Sequence, residues 1–165
     1  MGILDKPHTV IKFESKFSQL LYKAKLMDRL KIKIKFEKPL LYVDAEREFV
    51  KCTLKGVMYL PKNVAVSLGL PSEVKVASRT EAQCRQGDVF SAEKGTKIAV
   101  AKAERNIYRN AAERLVRRWK AVNDVEVDYL TDPNHPTLNT GINAFVAKAN
   151  GCVSHNERYI QEIAG

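Results

Sequence analysis

The chain has 165 residues, and 28 Lys and Arg against 19 Asp and Glu give a formal net charge of +9. Its apolar content of 45% is typical of one globular domain with a buried core, and no run of 18 apolar residues predicts a membrane span. The three cysteines, Cys52, Cys84 and Cys152, are too few and too far apart for a disulfide framework, which favours a reducing compartment.

The first forty residues predict a helix followed by a strand. Apolar residues recur at helical spacing across residues 10–26. From Lys31 to Phe36, lysines then alternate with apolar residues, which predicts a half-buried strand with a lysine outer face. Such a lysine row suits an anion-binding sheet surface, but it also protects an edge strand from aggregation, and we favour the second interpretation.

The middle of the chain predicts a sheet. Strands are expected at residues 40–43, at 49–60 with an interruption near Gly56, and at 74–84. Between the last two, residues 61–70 begin with Pro61 and end near Gly69, which is typical of a short helix. A sheet built from these segments leaves one face to be covered by another element.

Residues 91–122 predict the longest helix. Ala103, Ile107, Ala111 and Leu115 recur at steps of four, and Val122 continues this apolar stripe seven residues on. Either Asp88 or Ser91 could cap its start. Gly95 weakens the first turns by about 1 kcal/mol relative to Ala, so fraying or a break there is an open alternative.

The last quarter of the chain is acidic, with 6 carboxylates and 2 cations in residues 123–165. Alternation predicts a strand at 125–129, and Pro, Asn and Gly predict a loop at 131–141 before a small acidic C-terminal region. Residues 142–149 fit either a helix or a strand, and a capping box at Ser154 opens a last helix. The element order predicts a single α+β domain over residues 1–165. In it one long helix, with additional shorter helices, covers an antiparallel or mixed sheet of about five strands.

The long helix is also the most basic segment, with nine Lys and Arg against three Glu in residues 91–122. Lys102, Arg105 and Arg109 follow one another at three- and four-residue steps, and Arg117 and Arg118 extend the cations by two turns. These five residues predict a surface that binds nucleic acid or another polyanion. An ordinary solvated helix face would have the same composition.

A nuclease is an alternative function. Asp44 ends one predicted strand, and Glu73 and Lys75 lie two apart on one face of another, a set that can hold Mg²⁺ and position a water on a phosphodiester. The element order resembles the core of the restriction-endonuclease-like nucleases. Glu14 and Lys16 have the same spacing on a predicted helix, so chance also produces the pattern. Cys152 and His155 have ligand-like spacing without a second pair, and we therefore expect no metal site, no cofactor and no enzyme activity.

One motif resembles a known family. Cys84, Asp88 and Phe90, followed by Gly95, Ile98, Ala99 and Ala101, are similar to a motif in small bacteriophage proteins of unknown function. The resemblance implies an origin in a phage or prophage and action in the bacterial cytoplasm. We therefore predict a non-enzymatic accessory protein that binds nucleic acid. The alternative is an inhibitor of a host factor, such as a nucleic-acid-binding defence enzyme, that docks through residues 123–165.

Overall fold

The computed structural model describes residues 30–122 and 138–164. The elements in chain order are β1 (Lys33–Phe36), β2 (Leu40–Asp44), β3 (Phe49–Tyr59), α1 (Lys62–Leu68), β4 (Glu73–Gln83), α2 (Ala92–Val122) and α3 (Leu138–Ala164). The predicted α+β class is confirmed, with four strands in the described residues instead of about five. The helix predicted at 10–26 and the strand predicted at 125–129 lie outside these residues. No helix among them combines the length and the apolar character that crossing a membrane requires.

The sheet is antiparallel and centred on β3. Strand β4 pairs with β3 along its whole length, whereas β1 and β2 share the other edge of β3. Phe36 lies opposite Gly56 and Leu40 opposite Thr53, so three residues of the edge face two residues of β3. This is a bulge, bridged by a 2.8 Å hydrogen bond from Glu37 N to Lys55 O. Strands β1 and β2 therefore act as one bent edge strand.

Helix α2 packs against one face of this sheet. The alternation of β3 places Val50, Cys52, Leu54 and Met58 on that face, where each is buried. The hydroxyl of Thr80 on β4 donates a 2.6 Å hydrogen bond to Ala99 O in α2, which ties the helix to the sheet. The rows of residues on the opposite face of the sheet point away from α2.

The start of α2 depends on a close approach between helix and sheet. A Cβ atom on Gly95 would lie 2.8 Å from Val50 Cγ2, so this position requires glycine, and the helix continues through it without a break. Lys94 N donates a 3.2 Å hydrogen bond to Ser91 Oγ, which makes Ser91, and not Asp88, the cap. The local preference of Gly95 against helix is outweighed by this packing.

The apolar stripe of α2 forms the core, as predicted, for most of its length. Ala103, Ile107, Ala111 and Leu115 are buried, and Leu115 contributes to the cluster that joins the sheet, α1 and α3. Val122 is 44% exposed, so the stripe ends before it.

Helix α3 corrects two predictions for the C-terminal region and decides between the two alternatives for residues 142–149. It begins at Leu138, so the loop predicted at 131–141 is wrong over its last four residues, and it runs unbroken through residues 142–149. The capping box predicted at Ser154 lies within this helix, so no new helix begins there. Ile142, Phe145 and Ala149 recur at helical spacing and are buried against α2, and this burial outweighs the local preference of Ser154 for a helix start.

The charge of α3 differs from that of the C-terminal region as a whole. Its two carboxylates, Glu157 and Glu162, are matched by Lys148 and Arg158. The other four carboxylates of residues 123–165 belong to residues 124–132, outside the described ranges. The predicted acidic surface is therefore not a property of this helix.

Candidate nucleic-acid interface

The sheet face opposite α2 carries a group of exposed cations, and we call this surface the open face. In an antiparallel sheet, directly opposite residues share a face, so the register assigns each residue to a row. The cations on these rows come from three strands, and all are exposed: Lys33, Lys35, Lys51, Lys55, Lys75 and Arg79. The carboxylates on the same face are Glu37, Asp44, Glu73 and Glu81. The sequence prediction of a lysine outer face on residues 31–36 thus describes only one edge of a larger basic surface.

Positive charge is concentrated in the middle of the open face. Lys35 and Lys75 flank Val57 in one row, Lys55 lies beside Ala77 in the next, and Arg79 lies in the row after that. These three rows contain four cations and one carboxylate, that of Glu37, whose backbone N–H bonds to Lys55 O at the edge of the sheet. At about 4.8 Å between neighbouring strands, the backbones at Lys35 and Lys75 lie roughly 10 Å apart. Like charges at this spacing repel one another. A polyanion bound across these rows would offset that repulsion, which favours its binding.

Apart from Glu37, the carboxylates of the open face lie toward its two ends. Glu73 shares a row with Lys33 at one end, and Glu81 shares a row with Lys51 at the other. Neither of the two ion pairs formed by the described residues involves an open-face cation. The cations of the three central rows are exposed and form no ion pair within residues 30–122 and 138–164.

Two exposed tyrosines mark the same ends. Tyr42, which is 58% exposed, lies opposite Lys51, and Tyr59, which is 40% exposed, lies opposite Lys33. Phe49 is buried beside Tyr42, with ring centroids 6.2 Å apart, and Lys51 Nζ lies 5.3 Å from the Phe49 centroid. Aromatic rings thus accompany the cations here, whereas few interleave the cations of α2.

The cations predicted on α2 lie on the opposite side of the molecule from the open face, and most are engaged within the protein. Lys102 Nζ donates a 3.1 Å hydrogen bond to Glu81 O on β4. Arg105 Nε donates to Asn106 Oδ1 at 3.2 Å. Arg109 forms a 3.6 Å ion pair with Glu157 on α3. These three residues form one ridge between β4 and α3, and phosphate would have to compete with their internal partners.

Arg118 has a structural role. Its Nε donates a 2.6 Å hydrogen bond to Leu68 O, the last carbonyl of α1, where Gly69 ends that helix in the left-handed conformation with φ of 66°. A cation at a helix C-terminus also interacts favourably with the helix dipole. Arg118 and the neighbouring Arg117 are both exposed, so the contact with Leu68 is what distinguishes Arg118. Of the five predicted residues, Arg118 is thus the one whose charge caps a helix C-terminus.

We expect Arg118→Gln to lower the free energy of unfolding by about 1–2 kcal/mol, because the α1 C-terminus loses a charge-assisted hydrogen bond. Arg117→Gln makes the same chemical change one residue away on an exposed side chain and is the matched control. It should change stability by less than about 0.5 kcal/mol. Urea unfolding followed by circular dichroism measures both. Equal stability of the two variants would contradict the capping role.

The nuclease residues are not brought together. Asp44 lies opposite Phe49 at one end of β3, and Glu73 lies opposite Tyr59 at the other. Ten residues of extended strand separate these positions by about 30 Å, so the two carboxylates cannot share a metal ion. Asp44 Oδ1 instead accepts a 2.9 Å hydrogen bond from Arg47 N in the β2–β3 turn. The described residues contain no group of three His, Cys, Asp or Glu side chains suited to a metal.

A second group of titratable residues lies between α2 and α3. Burial raises the pKa of Glu104, an effect that nearby His155 opposes. Burial, followed by the proximity of Cys152, raises the pKa of Tyr108 to about 12. The Tyr108 ring meets the Phe36 ring edge-on at 5.7 Å, inside the layer between helix and sheet. These contacts place Glu104 near His155 and Tyr108 near Cys152 where α2 packs against α3.

No family model, no curated protein and no solved structure matches this chain. The residues of the phage-like motif have structural roles in the fold. Cys84 Sγ donates to the carbonyl oxygens of Arg85 and Asp88 in the turn before α2, and Phe90 packs against the core beside Gly95. The function has to be inferred from the surfaces described above.

Proposed function

We propose that the protein binds nucleic acid without catalysing a reaction, and that the open face is its main contact surface. The observation that supports this most directly is the three central rows, which present four exposed cations against the single carboxylate of Glu37 at the edge of the sheet. Phosphate contacts of this kind supply most of the affinity of non-specific nucleic-acid binding, through the release of condensed counterions. The phage-like motif supports an accessory role in the bacterial cytoplasm.

The α2 ridge is a second candidate surface for the same function. Lys102, Arg105 and Arg109 would have to give up their partners to contact phosphate, and Arg117 would extend the ridge. Because α2 covers the other face of the sheet, a short nucleic acid cannot touch the ridge and the open face together. The two surfaces therefore make separable contributions.

Salt dependence tests the proposal. With four to six phosphate contacts, the slope of log K against log salt should be about −3 to −4 for a single strand and about −4 to −5 for a duplex. Fluorescence anisotropy with a labelled 20-nucleotide DNA, free and as a duplex, measures both between about 50 and 300 mM NaCl.

Absence of binding to DNA or RNA at about 50 mM NaCl, where phosphate contacts are strongest, would contradict the proposal. The protein–protein inhibitor would then be the better hypothesis, with the open face as a docking surface for an acidic host protein. A slope near zero with measurable binding would show that phosphate contacts do not drive association.

A further inference from the structure

The aromatic residues of the open face are placed to contact bases. Tyr42 lies in the row of Lys51, and Tyr59 belongs to β3 itself. Lys51 and Tyr59 are eight residues apart, which is about 25 Å along the strand. The central rows of Lys35, Lys55 and Lys75 lie between them. A chain of nucleotides that follows β3 would meet an aromatic ring, then a basic surface, then a second aromatic ring.

Tyr42 is held in place by its neighbours. Its ring contacts Phe49 at an interplanar angle of 44°, and Phe49 is only 8% exposed and carries Lys51 on its face. A ring supported in this way has lost much of its freedom before a ligand binds, which lowers the entropic cost of stacking. More than half of the Tyr42 side chain remains exposed to receive a base.

The shape of the open face favours single strands. The major groove of B-form DNA admits a helix or a two-stranded ribbon, and this surface is three strands wide with α2 behind it. A duplex can therefore offer only its phosphates, because its bases are stacked on one another and unavailable to Tyr42 and Tyr59. A single strand can offer phosphates to the cations and unstacked bases to the rings.

We infer that the open face selects single-stranded nucleic acid, with Tyr42 and Tyr59 stacking on bases while the central cations hold the phosphates. This inference rests on the proposed function and adds strand selection to it. Stacking is tolerant of base identity, so the selection concerns strand form and carries little sequence preference. An acidic protein would use the cations but would have no need of both tyrosines.

The test compares a 20-nucleotide single strand with the matching 20-base-pair duplex at about 100 mM NaCl, a salt concentration that leaves phosphate binding measurable. The wild-type protein should bind the single strand at least tenfold more tightly, since each stacked base contributes on the order of tenfold. Tyr42→Ala and Tyr59→Ala should each weaken single-strand binding about tenfold and change duplex binding by less than about twofold. Tyr42→Phe and Tyr59→Phe keep the ring and should bind as the wild type does.

Several results would overturn the inference. Alanine variants that bind both forms as the wild type does would refute stacking and leave the proposed function in place. An equal loss for single strand and duplex would show that the tyrosines act through the fold, which circular dichroism would report independently. Failure of the wild type to bind either form would refute the proposed function itself.

Discussion

Reversing Lys35, Lys55 and Lys75 to Glu is expected to weaken binding of a 20-nucleotide single strand by on the order of 10²–10³-fold at about 50 mM salt. The variant loses three phosphate contacts, and each contact contributes close to tenfold at this ionic strength through counterion release. The new carboxylates also repel phosphate. All three side chains are exposed and lie on the face away from the core, so the fold should persist. Anisotropy titrations of the same labelled strand measure the change.

A triple reversal on α2 is the matched control. This variant carries Glu in place of Arg105, Arg109 and Arg117. It changes the net charge by the same amount, on the other side of the sheet. Binding should fall far less than in the open-face variant, since the ridge cations are engaged within the protein and salt screens their long-range field beyond about 10 Å. A larger fall in the α2 variant would show that the ridge is the binding surface and that the open face is not. Circular dichroism of both variants separates loss of binding from loss of fold.

Truncating Leu115 to Ala is expected to lower the free energy of unfolding by about 2–5 kcal/mol. Leu115 is fully buried in the cluster that also contains Met58, Leu68 and Ile142, and so it joins α2 to the sheet, to α1 and to α3. Removing its branched end leaves a cavity that these well-packed neighbours cannot fill without moving. The thermal midpoint should fall by roughly 5–15 °C for a chain of this size.

Val122→Ala is the control on the same helix. Both residues belong to the stripe predicted from the sequence, but Val122 is 44% exposed. Its truncation should cost less than about 0.5 kcal/mol. An unchanged midpoint for Leu115→Ala would contradict its place in the core, and a large loss for Val122→Ala would show that the stripe extends further than the described packing does. Differential scanning calorimetry measures both.

Predictions from local pattern agree well with the structure where the residues of one segment are sufficient to specify its secondary structure. The spacing of Ile107 and Leu115 predicts both the helix and the side it buries, because helical period and burial act on the same residues. The alternation around Leu54 and Met58 predicts β3 in the same way. The start of α3 at Leu138 could not be predicted from local pattern. The apolar residues there stabilise a helix only when they are buried against α2.

The sequence by itself determined the element types of residues 30–122, the basic character of α2 and the lysine face of β1, since each depends on residues a few positions apart. Only the tertiary structure decided which cations act together. Lys35, Lys55 and Lys75 are each twenty residues apart in the chain and meet through the register of β1, β3 and β4, which non-local hydrogen bonds set. Arg118, one of the predicted binding residues, instead donates a hydrogen bond to Leu68 O, fifty residues before it in the chain. No local pattern encodes either relation, because both arise from where separate segments dock.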